Sequence, residues 1–352
     1  MVGMSGGVDS SAAAALLLEA GYDVVGVTFK LWGASCSASG PRTCCGPEAV
    51  ADAREVCQKL GVPFYFLDEG PVFQKEVIEY FAAEYRAGRT PNPCVVCNEH
   101  VKFASLLKRA AALDIPYVAT GHYARVEQCP RTGRYLLKRG RDQKKDQSYF
   151  LFALKQLHLS RTLFPLGDKT KSDSRATAHR HQLKVADKEE SMEICFVSDG
   201  NYGNFLLKQR LAEKHRGDIV DVRGRKLGEH DGIEFYTIGQ RRGLRVSNPN
   251  PLYVVELDPA SNRVVVGEAG MLERSELTVE QCNWIAFDTP PQAIEATVKI
   301  RYNHPGVLAT VEPLGNGKAR VRFSQPQRAV TPGQACVFYQ DDLVLGGGWI
   351  GG

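Results

Sequence analysis

The sequence predicts an α/β fold in which a doubly wound parallel sheet is followed by small all-β domains, including a C-terminal β-barrel. Three observations support this class. Strand-like and helix-like segments alternate over the first 120 residues, and glycine-punctuated strands replace helices after about residue 205. The composition, 43% hydrophobic and 24% charged, is typical of a soluble globular protein. At 352 residues the chain can hold several cores, and we place the domains at 1–205, 206–272 and 273–352.

Helical and apolar segments alternate at the start of the chain. The helical segments are residues 12–20, 49–61, 72–88 and 103–114. The strand-like segments are residues 22–29, 63–68 and 116–122. This alternation is typical of a parallel sheet covered by helices on both faces. Ligands of such sheets bind at the carboxyl ends of the strands.

The second half of the chain consists of short strand-like segments separated by glycines and polar turns. These segments are residues 252–258, 262–268, 296–302, 307–315 and 318–324. Such a series predicts one or two small antiparallel β domains. No internal repeat or low-complexity tract is evident in the sequence.

The net charge of +4 is unevenly distributed along the chain. The segment from Arg131 to Lys188, which we call the basic segment, carries fifteen Lys or Arg and five Asp. This concentration of positive charge predicts a polyanionic partner. The alternative is an ordinary solvated surface.

The sequence predicts a cytoplasmic protein without a membrane segment. No apolar run approaches the roughly 20 residues needed to cross a bilayer. The first residues, MVGMSGGVDSS, lack the basic and apolar regions of a secretory signal. In that compartment most of the ten cysteines should stay reduced, which favours thiol chemistry or metal ligation over structural disulfides.

A glycine-rich loop, Gly3 to Ser11, stands directly before the first apolar helix and reads GMSGGVDSS. Glycines let successive backbone N–H groups face inward, and the helix N-terminus adds a partial positive charge. This combination predicts a phosphate site. No lysine follows as in the GxxxxGK[ST] loop, so the kinase and GTPase classes are excluded. The alternative is a turn in which Asp9 or Ser10 caps the helix.

Two thiols three residues apart, Cys94 and Cys97, follow a Pro-Asn-Pro turn. A zinc site would need further ligands, and no second CxxC spacing is present although three other cysteines are available: Cys36, Cys44 and Cys45. A redox dithiol would normally open a helix after a strand. The remaining interpretation is a single nucleophile that Lys102 and the basic segment would activate. The other cysteines of the chain, apart from Cys195, read as small hydrophobic residues: Cys57, Cys129, Cys282 and Cys336.

Only Met1 and Val2 precede the glycine loop. A central strand of a doubly wound sheet usually has about five or six residues and is buried on both faces. We therefore expect the natural start to lie several residues upstream, in an apolar β segment that would stabilise the sheet and the loop.

The loop Ser5 to Ser11, SGGVDSS, resembles the pyrophosphate loop of the ATP-pyrophosphatase superfamily. Six further segments resemble, in order, signatures of the bacterial tRNA-specific 2-thiouridylases: TPNPCVVCNEHVKF, ATGHYARV, KDQSYFL, EICFV, YTIGQRRGL and KIRYNHPG. The resemblance spans nearly the whole chain. It implies an adenine nucleotide alpha hydrolase-like sheet and an enzyme that uses ATP with Mg²⁺.

The resemblance also implies a reaction, the insertion of sulfur at C2 of the wobble uridine of tRNA. ATP adenylates the C2 oxygen, a persulfide on Cys195 delivers sulfur, and Cys97 completes the transfer by forming a disulfide with Cys195. The partners would be tRNA and a persulfide sulfur donor protein, either a cysteine desulfurase or a sulfur relay protein. Two other classes stay open: another ATP-pyrophosphatase, such as a ligase or amidotransferase, and a non-catalytic RNA-binding protein.

The family's binding residues are carried over position by position. ATP would contact Gly3, Met4, Ser5, Gly6, Gly7, Val8, Asp9, Ser10, Phe29 and Gly121. The target base would contact Asn92, Pro93 and Cys94, and tRNA would contact Lys145, Asp146, Gln147, Arg301 and Tyr302. Phe29 has an alternative interpretation as a core aromatic residue.

Cys94 departs from the family pattern, because some members carry Asp at this place. The departure puts a carboxylate base or ligand at this position in doubt. Cys94 would be either an inert packed thiol or a ligand, with Cys97 and Cys195, of an iron–sulfur cluster.

Overall fold

The computed structural model describes residues 1–31, 46–189, 194–197 and 199–352. The chain divides into two compact units. Unit 1 contains residues 1–77, 94–200 and 342–345. Unit 2 contains residues 78–93, 201–341 and 346–352. The three-domain division with boundaries after residues 205 and 272 stays a prediction.

The strands of unit 1 form a parallel sheet and a hairpin. They are β1 Val2–Gly3, β2 Gly26–Lys30, β3 Phe64–Asp68, β4 Val118–Ala119, β5 Ala124–Gln128, β6 Tyr135–Arg139 and β7 Thr162–Leu163. The sheet has the order β3-β2-β1-β4-β7, and all its pairings are parallel. β5 and β6 pair as an antiparallel hairpin, and Leu343 pairs with Lys138 of β6.

Nine α-helices lie within the described part of the chain. They are α1 Val8–Glu19, α2 Pro47–Leu60, α3 Gly70–Phe73, α4 Tyr80–Arg86, α5 Pro93–Val96, α6 Ala104–Ala112, α7 Gln156–Ser160, α8 Lys171–Arg180 and α9 Tyr202–Lys208. Local sequence sets several ends. Pro47 opens α2, and Gly61 ends it in a left-handed conformation. Thr170 and Asp173 form a capping box at the start of α8.

Two π-helical segments interrupt the helical regions, at Gln74–Glu79 between α3 and α4 and at Cys97–Phe103 between α5 and α6. Such segments are rare and are frequent at functional sites. The second begins at a thiol that the sequence singles out.

The central strand β1 is only two residues long but is paired on both sides. Val2 pairs with Gly26 and with Ala119. The Val2 N–H donates to Val25 O at 2.7 Å, and the Ala119 N–H donates to Met1 O at 2.8 Å. Burial lowers the pKa of the Met1 amino group. The glycine loop therefore leaves the middle of the sheet, while the upstream extension stays a prediction.

The strands of unit 2 form a small sheet and a barrel. The sheet strands are β8 Gly217–Asp221, β9 Lys226–His230, β10 Tyr253–Asp258 and β11 Arg263–Gly267. The barrel strands are β12 Glu273–Trp284, β13 Ile294–Lys299, β14 Val307–Gly315, β15 Lys318–Arg328, β16 Ala335–Gln340 and β17 Leu343–Ile350. The sheet has the order β10-β11-β8-β9. The barrel has the order β12-β15-β14-β13-β16-β17 and closes because β17 pairs with β12.

The predicted fold class is confirmed. The parallel sheet with its helices precedes all-β parts that include the closed barrel. Three local predictions differ from the structure. The segment 72–88 is a helix broken by a π-turn, and the strand predicted at 22–29 begins only at Gly26. The small sheet of unit 2, predicted to be antiparallel, is mixed, because β8 and β11 pair in parallel. The β5–β6 hairpin was not predicted. Among the described residues, no helix combines the length and apolar character that crossing a bilayer requires.

Candidate nucleotide and thiol site

The glycine loop between β1 and α1 is shaped by Gly6, which has a left-handed backbone. Its φ is +69°, and a Cβ built there would lie 2.1 Å from the carbonyl oxygen of Ala49 in α2. Only glycine fits this position. Gly7 is the N-cap of α1, and within the described residues no side chain caps this end. The positive end of the α1 dipole therefore faces the loop, which suits an anion better than the alternative of a capped turn.

Hydrogen bonds within the loop fix its shape. The Ser10 hydroxyl accepts from the Ser5 N–H at 3.1 Å and donates to Gly7 O at 3.2 Å. The Thr28 hydroxyl of β2 donates to Met4 O at 2.8 Å. The loop is thus held by its own serines and by the neighbouring strand.

Asp9, in the first turn of α1, has two donors that the sequence did not predict. Lys171 Nζ lies 2.7 Å from Asp9 Oδ1 and 2.9 Å from Oδ2. The Tyr123 hydroxyl donates to Asp9 Oδ1 at 2.8 Å and also contacts the Ser174 hydroxyl at 2.8 Å. The first residue of α8 and the end of the TGHY segment therefore both meet the loop.

A second lysine contacts the loop at Gly6. Lys188 Nζ donates to Gly6 O at 3.2 Å and pairs with Asp52 of α2, whose side chain is only 10% exposed. Lys171 and Lys188 both belong to the basic segment. At least part of that segment's charge therefore serves the glycine loop.

Gly121, two residues after the end of β4, packs against the loop. A Cβ at Gly121 would lie 2.6 Å from the Asp9 carbonyl carbon and from the Ser10 nitrogen. The structure thus brings Gly121 together with the loop, as its predicted role in ATP binding requires. Phe29 lies at 9% exposure in β2, which agrees with its alternative role as a core aromatic residue. The contacts of Gly121 and Phe29 with adenine stay predictions.

His122 follows Gly121 and lies among aromatic rings. Its ring centroid is 5.9 Å from that of Phe103 and 6.3 Å from that of Phe164, and its Nδ1 is 2.7 Å from the Thr120 hydroxyl. Burial, assisted by the positive charge of Lys102, lowers the pKa of His122 to about 3. The imidazole is therefore neutral at physiological pH.

The two neighbouring thiols have different surroundings. Cys94 in α5 is exposed, whereas Cys97, at the start of the π-helical segment, is 6% exposed. The next residue, Asn98, is 2% exposed and donates from Nδ2 to Phe150 O at 3.1 Å. This bond ties the segment to the KDQSYFL stretch. Cys94 is therefore not the inert packed thiol that the sequence suggested, and the assignment of the nucleophile to Cys97 stays a prediction.

Cys195 is half-buried in a turn that the Val197 N–H closes by donating to Ile194 O at 2.9 Å. The following residue, Phe196, packs edge-on against the ring of Phe73, with centroids 5.8 Å apart. This aromatic contact anchors the turn in unit 1, which also contains Cys97.

Metal ligation requires several suitable side chains to converge on one point. Among the described residues, which include Cys94, Cys97 and Cys195, no three His, Cys, Asp or Glu side chains converge as metal ligands. These three thiols therefore do not fit an iron–sulfur cluster as they stand. Cys36, Cys44 and Cys45, the further cysteines available for zinc, lie outside the described residues.

The predicted tRNA residues of unit 1 form a tight loop. Asp146 is 7% exposed and accepts from the Gly140 N–H at 3.1 Å and from the Ser148 hydroxyl at 3.0 Å. Gln147 Oε1 accepts from the Tyr123 N–H at 3.1 Å. The Asp146 and Gln147 side chains thus shape the loop that carries Lys145, and a direct tRNA contact by any of the three residues stays a prediction.

The remaining predicted contacts lie in unit 2. Asn92, directly before α5, and Pro93, its first residue, are buried. Arg301 is exposed after β13 and donates from Nη1 to Arg328 O at 3.4 Å, and Lys299 Nζ lies 5.7 Å from the ring centroid of Tyr302. An exposed arginine followed in the sequence by a tyrosine suits unstacked RNA bases, but these roles stay predictions.

Of the four other cysteines, Cys57 and Cys336 are buried and Cys282 is half-buried. Burial raises the pKa of Cys57 to about 11 and that of Cys282 to about 12, and raises that of Cys336 as well. Cys129 differs from the sequence-based expectation. It lies at the β5–β6 turn, where hydrogen bonding, chiefly with the Thr132 side chain, lowers its pKa.

Family models match three parts of the chain. A tRNA methyl transferase HUP domain matches residues 1–199, a tRNA methyl transferase PRC-barrel domain matches residues 204–268, and an aminomethyltransferase beta-barrel domain matches residues 274–350.

Curated relatives are similar over the full length. The tRNA-specific 2-thiouridylase MnmA of Moorella thermoacetica is 51% identical over 351 residues, which cover 99% of this chain and 98% of the relative. The proteins of the same name from Carboxydothermus hydrogenoformans and Magnetococcus marinus are 50% and 47% identical, each over 99% of this chain and over 96% and 98% of the relative. Among solved structures, the U34-tRNA thiolase NcsA from Methanococcus maripaludis with its [4Fe-4S] cluster matches at 17% identity and a TM-score of 0.35, over 59% of this chain and 64% of that chain.

Proposed function

The chain belongs to the tRNA-specific 2-thiouridylases, a family of tRNA sulfurtransferases, and we propose that it replaces the C2 oxygen of the wobble uridine by sulfur at the expense of ATP. The observation that carries this proposal is the glycine loop. Gly6 turns it against α2, and the uncapped end of α1 supplies the positive dipole that polyphosphate requires.

ATP binding by the loop would present its α-phosphate to the uridine. Attack by the C2 oxygen forms the adenylated base and releases pyrophosphate, which makes the oxygen a leaving group. Mg²⁺ would be held mainly by phosphate oxygens, with Asp9 as the carboxylate nearest the loop, and would offset the charge of the pyrophosphate. Magnesium usually binds to one or two carboxylates plus substrate phosphates, so a three-ligand protein site is not required.

Sulfur transfer would use Cys97 and Cys195. The terminal sulfur of a Cys195 persulfide attacks C2, AMP departs, and the base is linked to Cys195 through that sulfur. The Cys97 thiolate then attacks Cys195 Sγ, which releases 2-thiouridine and leaves a Cys97–Cys195 disulfide. A cellular thiol reduces the disulfide, and a persulfide donor protein reloads Cys195. Two thiols are enough for this cycle, and no step runs through an iron–sulfur cluster.

The wobble base must leave its stack to reach the site, which costs a few kcal/mol and requires a shaped pocket. We assign the pocket wall to Asn92, Pro93 and Cys94, and the contacts to the tRNA to the loop at Lys145 and to Arg301 with Tyr302. Since Cys94 is a thiol, the wall supplies shape here rather than a carboxylate base.

The direct test is the release of pyrophosphate from ATP with and without tRNA. We expect release that depends on a tRNA carrying uridine at the wobble position. A tRNA carrying cytidine there serves as the matched control and should give background release. Equal release with either tRNA, or without tRNA, would point to another ATP-pyrophosphatase.

A further inference from the structure

We propose that Lys171 binds the β- and γ-phosphates of ATP, which leave together as pyrophosphate. This inference rests on the proposed use of ATP by the glycine loop. It concerns a residue in none of the segments that carry the resemblance to the family, and it gives a defined task to one charge of the basic segment.

The position of the ammonium group supports the inference. Lys171 Nζ bridges both oxygens of Asp9, at 2.7 and 2.9 Å, and Asp9 lies in the first turn of the helix whose N-terminus faces the loop. The Lys171 side chain is only 13% exposed. The cation is therefore held beside the phosphate cradle and does not extend into solvent.

The charges of the site explain why a lysine is needed here. A carboxylate in the first turn of α1 would repel a polyphosphate at the same helix end, because like charges at short range are unfavourable. Lys171 offsets this charge and adds a cation that phosphate oxygens prefer as a hydrogen-bond donor. Asp9 also accepts from the Tyr123 hydroxyl at 2.8 Å. The carboxylate thus keeps a donor when the ammonium turns toward phosphate.

Two other lysines of the basic segment show what distinguishes Lys171. Lys188 is directed at a backbone carbonyl, Gly6 O, and at the carboxylate of Asp52, so it fixes the loop conformation. The Lys184 side chain is 69% exposed and lies 3.3 Å from Glu55 on the surface. Lys171, by contrast, pairs with a carboxylate of the loop itself.

The test measures ligand binding by calorimetry without tRNA, using inorganic pyrophosphate, AMP and an ATP analogue with a non-cleavable α,β bridge. Lys171→Ala should weaken the binding of pyrophosphate and of the analogue by about 10- to 100-fold, as expected for a hydrogen bond to a charged group. AMP affinity should change by less than about twofold, because AMP lacks the leaving phosphates. Lys171→Arg should recover part of the affinity, and Lys184→Ala should leave all three affinities unchanged.

A double variant separates phosphate contact from simple neutralisation of Asp9. If Lys171 contacts phosphate, the variant with Asp9→Asn and Lys171→Ala recovers the part of the pyrophosphate affinity that repulsion by Asp9 had cost, but it stays weaker than Asp9→Asn alone. Recovery of wild-type affinity in the double variant would overturn the inference, and so would an equal weakening for AMP and pyrophosphate. Thermal unfolding of each variant checks that the fold is retained, and Lys171→Arg provides the comparison if Lys171→Ala does not fold. Because no tRNA is present, failure of the thiolation proposal would show separately, in the pyrophosphate-release assay.

Discussion

Replacing Gly6 by alanine tests the loop geometry most sharply, because the chain contains a matched control. Gly6 and Gly61 have nearly the same left-handed backbone, with φ of +69° and +70°. A Cβ at Gly6 would lie 2.1 Å from Ala49 O, whereas a Cβ at Gly61 would meet nothing within 4 Å. Both variants carry the left-handed strain of about 1–2 kcal/mol. Only Gly6→Ala adds the overpacking cost, about 1–3 kcal/mol.

We therefore expect Gly61→Ala to lose about 1–2 kcal/mol of unfolding free energy and Gly6→Ala to lose about 2–5 kcal/mol. The measurements are urea unfolding and calorimetric titration with the ATP analogue. Gly6→Ala should also bind the analogue more than about tenfold more weakly, because the loop must move away from α2 to make room. Gly61→Ala should bind it normally. Equal destabilisation of the two variants, with unchanged binding in both, would refute the loop geometry.

Three further predictions concern the thiols, His122 and the basic segment. Cys97→Ser should abolish thiolation without changing the melting temperature. Cys94→Ser should lower the thiolation activity by less than about tenfold if this exposed thiol is not a nucleophile. Near-normal activity of Cys97→Ser would exclude the two-thiol mechanism. The pKa of His122 is about 3 in the folded protein, below its ordinary value of 6.5. Between these two pH values the unfolded chain binds the proton and the folded chain does not, so the free energy of unfolding decreases as the pH is lowered from 6.5. This destabilisation should reach at most about 2 kcal/mol at pH 5 and be absent from His122→Gln, and an identical pH dependence of urea unfolding in both proteins would contradict the shift. Replacing Lys144 and Lys145 by alanine should lower the log–log salt slope of tRNA binding by roughly 0.7 to 0.9 for each phosphate group that is no longer neutralised, whereas an unchanged slope would show that neither lysine binds phosphate.

The fold class was predictable from sequence because its signals are local. The apolar run in α1, the Pro47 and Gly61 ends of α2 and the glycine-separated strands of the second half follow from periodicity and turn chemistry. The break in the 72–88 segment was not predictable. A π-turn at Gln74–Glu79 leaves the apolar pattern intact and changes only the hydrogen-bond spacing.

The candidate site was predictable only where its residues are adjacent in the sequence. The Gly3–Ser10 loop could be read directly from its glycines and the helix that follows. Lys171, Tyr123 and Lys188 could not, because they reach the loop from 114 to 182 residues away in the sequence. The available signal was the excess of positive charge between Arg131 and Lys188, which predicts a polyanionic partner but does not say which lysines meet it. At least two of its lysines, Lys171 and Lys188, contact the glycine loop.

The side chain of Asp146 illustrates another limit of sequence reasoning. A polar residue in a charged segment reads as exposed, whereas this carboxylate is 7% exposed and organises a turn through the Gly140 and Ser148 N–H groups. Short-range hydrogen bonding of this kind is common for Asp in turns, but the sequence does not give the burial that makes it necessary.

In the proposed reaction, ATP and two thiols together replace one uridine oxygen by sulfur. The most direct measurement is mass spectrometry of the wobble nucleoside after tRNA, ATP and a persulfide donor have been incubated with the protein or with Cys195→Ser. We predict 2-thiouridine with the unaltered protein and ATP, and unmodified uridine when ATP is omitted or Cys195 is replaced. Thiolation that persists without ATP or with Cys195→Ser, or an unmodified nucleoside under all conditions, would contradict this reaction.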